Sequence, residues 1–245
     1  VCGSSVNPEG CHLNRIAFGI GQRAISVIGV GAVLVSTSEY WFYEVDAGTD
    51  SMMILIAYGP LGYLFIAVLQ RYRVHSFEGL VVAASLLGFL IEGVPVPVVY
   101  ANPPLSIVWT SLAWHALLTI GLGWLLVRIV MADGLVWQAI ALNSVFGLIL
   151  GAWNAFMWNA HEVGGESDFV FVWQPTDIFA IQFLYGYALF VGGHVLLDRL
   201  YPRELEVSRL EYFSLWVSAG VISVLVAHDA GFFAVFLILP VLVFG

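Results

Sequence analysis

The sequence predicts an all-α fold, a polytopic transmembrane helix bundle of about eight spans. Three observations carry that reading: a composition too apolar for a water-soluble globule, apolar runs of bilayer length along the whole chain, and arginines confined to alternate ends of those runs. Of the 245 residues, 60% are hydrophobic and 10% charged, and mean hydropathy is +0.93. A soluble domain carries about 45–50% apolar and roughly 25% charged residues. So little polar surface does not cover a globule in water, and the chain is expected as a multi-pass protein of the cell membrane.

A helical span takes about 20 predominantly apolar residues. Runs broken at Pro, Gly and charge clusters fall at 17–40, 52–69, 78–99, 105–130, 135–158, 177–198, 212–227 and 231–244. The first begins beyond Arg15, carries Gly19, Gly21, Gly29 and Gly31 for close helix approach, and ends in Glu39 and the aromatic run Tyr40 to Tyr43. The second is followed by Arg71 and Arg73. The third contains Glu92 and runs into Gly93, Pro95 and Pro97, where regular backbone bonding must break. The fourth holds Ser111 and His115 and closes at Arg128. The fifth carries Asn143 and Asn154, with Asn159 just beyond, and the sixth Gln182, His194 and Asp198. The last two are short enough for a tight hairpin or a re-entrant pair, with His228 and Asp229 between them, so seven spans is the alternative count.

With eight spans, Arg15, Arg71, Arg73, Arg128, Arg199, Arg203 and Arg209 lie on one side. The positive-inside rule makes that side cytoplasmic, with both termini there and Cys2 and Cys11 then reduced, whereas an N-terminus on the outer side would let them pair. Arg23 is then expected to snorkel from the first turns of span one. The opposite side collects Glu44, Asp46, Asp50, Glu162, Glu166, Asp168 and Asp177. The aromatics Tyr40 to Tyr43, with Trp153, Trp158 and Trp173, read first as an interfacial anchoring belt. No internal repeat, linker or signal peptide is evident, and residues 1–245 read as a single transmembrane helical domain.

Charge removes several functions. Net charge is −9, with eight basic residues, which argues against a nucleic-acid partner. All eight are arginine. Without lysine there is no retinal Schiff base and no amine nucleophile. Membrane lipids are the expected partners.

Ionisable groups at the centre of a span cost about 2.5–3.5 kcal/mol on insertion scales, so each one present asks for a partner. Spans three and four are joined by the short segment 95–104 and should run antiparallel side by side. Glu92 and His115 lie at similar distances from the middle of that connection, so at 1.5 Å per residue they share a depth. Glu39, His161 and His228 belong to the same half of the membrane, whereas His194 sits nearer the cytoplasmic face. His115 and His194 therefore form a poor axial pair, which argues against haem. Ser111 shares a helix face with His115, and the favoured reading bonds its hydroxyl to the carbonyl four residues back.

Three expectations follow. The first is an intramembrane enzyme acting on a lipid-soluble substrate, with Glu92, His115 and Glu39 as catalytic residues. Its metal form uses His115, His161 and His228 as ligands for Zn, Cu or Fe, ions that imidazole suits. Its metal-free form handles protons through Glu92 and His115. The second is a non-catalytic transmembrane subunit of a larger membrane complex, in which these groups are structural. The third is a proton-coupled transporter, although no inverted repeat is evident.

Overall fold

The structure, a computed structural model, describes residues 8–41, 49–93, 97–100, 102–132, 136–162, 169–171, 176–200 and 207–230. The chain there is helical except for one short ribbon. In order come α1 (Pro8–Val35), continued by a π-turn (Ser36–Tyr40), then α2 (Thr49–Arg71), α3 (Phe77–Gly93) and a 3-10 turn (Pro97–Tyr100). A long π-helix (Ile107–Leu126) runs into α4 (Val127–Ala132), followed by α5 (Val136–Asn159). Strands β1 (Ala160–Glu162) and β2 (Phe169–Phe171) pair antiparallel, with His161 opposite Val170, before α6 (Thr176–Leu200) and α7 (Arg209–Ala230). Three stretches are long and apolar enough to cross a membrane: Gly19–Tyr40, Ile107–Val130 and Phe179–Asp198. The predicted segment 231–244 lies outside the described residues.

Local chemistry explains where elements start and stop. Pro8 opens α1 at the one position where its missing N–H is harmless. At the other end, Ser36 Oγ donates to the Ala32 carbonyl at 2.5 Å and Thr37 Oγ1 to that of Val33 at 2.8 Å. Hydroxyls that occupy carbonyls of the preceding turn bend a helix. Here the backbone widens, and Trp41 N–H bonds to Ser36 O, five residues back. The third helix spans Phe77–Gly93, and the expected helical residues 97–99 lie in a 3-10 turn instead. The Tyr100 hydroxyl donates to the Gly93 carbonyl at 3.1 Å, and burial pushes that phenol up to about 12, so it stays a donor.

Helix α1 lies at the centre, against α2, α6 and the π-helix, while α3 packs along the π-helix and α7 along α2. Close approach to α6 rests on facing glycines. A Cβ on Gly193 would stand 2.7 Å from the Gly29 carbonyl, and one on Gly29 would meet Leu197 at 3.0 Å. Gly21, also expected to permit close packing, meets no neighbour. Leu34, Tyr58, Leu64, Leu87, Ile91 and Ile120 form the buried core. Outward faces carry large apolar side chains such as Ile56, Val82, Trp137 and Leu148, the reverse of a surface made for water.

Two expectations change. Tyr40 and Trp41 are buried rather than belted at an interface, because α6 covers them. Trp41 lies 4.8 Å from Phe190 and Tyr40 5.2 Å from Tyr185, centroid to centroid. Arg23 does not simply snorkel. Its guanidinium grips both carboxylate oxygens of Glu211, at 2.6 and 3.1 Å, because the start of α7 comes within its reach.

Candidate functional site

Three elements bring polar groups into one buried layer: the π-turn, the end of α3 and the middle of the π-helix. Wide helical turns arrange the last. In a helix bonded i→i+5, residues four apart stay close to one face, and Ser111, His115, Thr119 and Gly123 form a fully buried stripe. Gly88 lets α3 lie against it. A Cβ there would run into the Ser111 carbonyl oxygen and approach His115 Cβ to 3.0 Å. One turn beyond Gly88, Glu92 then faces the imidazole.

His115 Nε2 lies 2.6 Å from Glu92 Oε1, with the histidine side chain 0% and the glutamate 10% exposed. On the other edge of the ring, Nδ1 lies 3.4 Å from Ser38 Oγ. Ser38 Oγ is also 3.1 Å from Thr119 Oγ1. The backbone of the turn is pinned as well, since Trp114 Nε1 donates to the Ser38 carbonyl at 3.2 Å. When Nε2–H donates to the carboxylate, Nδ1 is left to accept the serine hydroxyl, so both ring nitrogens are used.

A second carboxylate joins from the end of the first apolar stretch. Tyr58, fully buried on α2, donates to Glu39 Oε1 at 2.5 Å. The same hydroxyl interacts with the Ser38 side chain. Glu39 lies within electrostatic reach of both His115 and Glu92. The result is a continuous polar chain, Glu39–Tyr58–Ser38–His115–Glu92, with an acid at each end and no arginine in it. Glu39 is its less buried end. Such a chain can pass a proton by exchanging donor and acceptor at the imidazole and at each hydroxyl.

Of the residues singled out in the sequence, Glu92 and His115 meet directly, and Glu39 joins them through Tyr58 and Ser38. The side chains of His161 and His228, with those of Asn143, Asn154 and Asn159, lie outside the described residues. Among the described residues no three His, Cys, Asp or Glu groups gather as for a metal. Ser111 Oγ is buried without a hydrogen-bond partner among them, rather than bonded four residues back. Gln182 joins α6 to the π-turn through the Tyr40 carbonyl at 3.3 Å. His194, away from the layer, bonds the Gly123 carbonyl at 3.2 Å, near the Arg128–Asp198 pair at 3.0 Å.

Ser38, Tyr58 and Thr119 escape a reading based on charge, because hydroxyls raise no alarm in an apolar run. The available signals are the consecutive hydroxyls Ser36-Thr37-Ser38 before Glu39, and the four-residue spacing from Ser111 to Gly123. Also missed is the Ser208-x-x-Glu211 capping box at the start of α7. There Glu211 N–H donates to Ser208 Oγ at 3.2 Å and Ser208 N–H to Glu211 Oε2 at 3.3 Å.

The fold and this layer define a helical membrane protein with a buried acid–imidazole–hydroxyl chain. Comparison with protein-family models, with curated proteins and with solved structures finds no match.

Proposed function

We propose that the protein is an intramembrane enzyme that carries out acid–base chemistry on a lipid-soluble substrate, with Glu92 and His115 as the reacting pair. The observation that carries this reading is the 2.6 Å contact between a carboxylate and an imidazole that are both almost out of solvent. A positioned acid–base group contributes about 100- to 10,000-fold to a rate. In this scheme Glu92 exchanges a proton with the substrate while His115 holds the matching proton. Ser38 and Tyr58 link His115 to Glu39, whose carboxylate, at the less buried end of the chain, returns the proton. Buried ionisable groups gathered around an imidazole are candidates for a reactive site, and here two acids are linked through it with no arginine between them.

The wider arrangement in this proposal has eight spans in the cell membrane, with both termini cytoplasmic. In its support, Arg23 contacts the start of α7, Arg128 pairs with the end of α6, and the end of α2 borders the start of α7. These arginines therefore share one end of the bundle, opposite the acid chain. The test compares lipid extracts of cells carrying the wild-type chain with those carrying Glu92→Gln. A lipid species altered by the first and untouched by the second supports the reading, and identical profiles at equal protein abundance refute it.

A further inference from the structure

A second site lies at the other end of the bundle. The last turn of α2, the turn after it and the start of α7 border an open cavity of about 570 Å³, within the size range of small-ligand sites, about 300–1,000 Å³. Its polar lining comprises Gln70, Arg71, Arg73, His75, Ser208 and Arg209, with the Tyr212 ring beside them and aliphatic side chains completing the wall. Among the described residues no carboxylate lines it. The nearby Glu211 is turned to Arg23. Arg71, Arg73 and Arg209 make no ion pair with any described residue. Three exposed arginines thus bring positive charge to the wall of one cavity.

The backbone supplies independent support. Helix α2 ends in a Schellman motif: Val74 N–H bonds to Leu69 O at 2.9 Å, and Arg73 N–H to Gln70 O at 3.2 Å. Its left-handed position, φ 51°, is held by Arg73, where glycine is the favoured residue. An arginine there costs about 1 kcal/mol relative to glycine. The strained turn points to a role for that side chain beyond the backbone.

We propose that this cavity binds the phosphate of an anionic ligand, either a lipid headgroup or free phosphate. Guanidinium forks match phosphate oxygens in pairs, and the aliphatic wall suits glycerol and the upper acyl carbons. Basic pockets between helices at the membrane surface hold anionic headgroups in this way. The proposal is independent of the acid–base chain.

The test uses the full chain in neutral detergent and follows its melting temperature on adding phosphatidylglycerol, phosphatidylcholine or sodium phosphate. Phosphatidylglycerol is expected to raise it with an apparent affinity at least tenfold above that of phosphatidylcholine. Arg71→Gln with Arg209→Gln should abolish the rise. Arg73→Gly, which should melt higher than wild type without ligand, should weaken binding about tenfold, the loss of one charge-assisted pair. A rise with phosphate equal to that with phosphatidylglycerol supports the site and identifies its source as the free ion. No rise with either anion, an equal rise with phosphatidylcholine, or a rise that survives in both variants overturns the proposal.

Discussion

Gly88 on α3 lies directly under the Ser111 carbonyl of the π-helix, and this contact sets the spacing at which Glu92 meets His115. An alanine in a helix interior is normally about 0.5–1 kcal/mol better than glycine. Here its Cβ has no room, because the obstruction is backbone rather than a flexible side chain. Gly88→Ala is therefore expected to destabilise by about 1–3 kcal/mol, the usual range for overpacking. Thermal unfolding of the detergent-solubilised variant checks the sign, and a higher melting temperature would contradict this packing.

Glu92→Gln and Glu92→Ala should separate in stability while agreeing in function. Glutamine keeps a polar partner against His115 Nε2, so its stability should stay within about 1 kcal/mol of wild type. Alanine leaves a fully buried ring nitrogen unpaired, which costs about 1–3 kcal/mol. Both should lose about 100- to 10,000-fold in turnover. Melting curves paired with lipid-extract turnover test both parts.

Tyr58→Phe removes the hydroxyl that joins Glu39 to Ser38 among the described residues. It should destabilise by about 1–3 kcal/mol, because the carboxylate loses its donor. If protons travel this way, turnover falls as well while Glu92 and His115 remain in contact. Unchanged turnover in a folded Tyr58→Phe protein would cut Glu39 and Tyr58 out of the mechanism.

The opposite end of the bundle predicts a pH dependence. Burial raises the Glu211 carboxyl, but the Arg23 fork, the Tyr63 hydroxyl and the Ser208 N–H outweigh it and hold the group below its ordinary range. A depressed carboxylate contributes stability above its unfolded value of about 4.3 and loses that contribution as pH falls through its folded value. The melting temperature should thus hold near neutrality and fall below about pH 4, with a smaller fall in Glu211→Gln. Ser208→Ala, which removes the reciprocal cap, should cost about 0.5–2 kcal/mol.

Depth was legible in the sequence, whereas helix rotation was not. Counting residues from the Pro95–Pro104 connection assigns Glu92 and His115 the same level, because rise per residue is nearly constant. Which side chains then face one another depends on helix type and approach distance. Residues 36–40 and 107–126 are π-helical, and Ser38 reaches the imidazole from the first of them while Thr119 in the second bonds Ser38. Tyr40 and Trp41 looked like interfacial anchors because sequence position gives the end of a helix but not its neighbours, and α6 buries both. Arg23 met Glu211, 188 residues away, a pairing that no local pattern carries.

The most direct test of the acid–base account incubates the purified full chain with a total membrane lipid extract in water labelled with both deuterium and oxygen-18. Proton delivery to carbon leaves deuterium in the product, and addition of water leaves oxygen-18, so the substrate need not be known beforehand. The account expects at least one lipid species to gain label with the wild-type chain and not with Glu92→Gln or His115→Gln. Label patterns that are the same for wild type and both variants would contradict it.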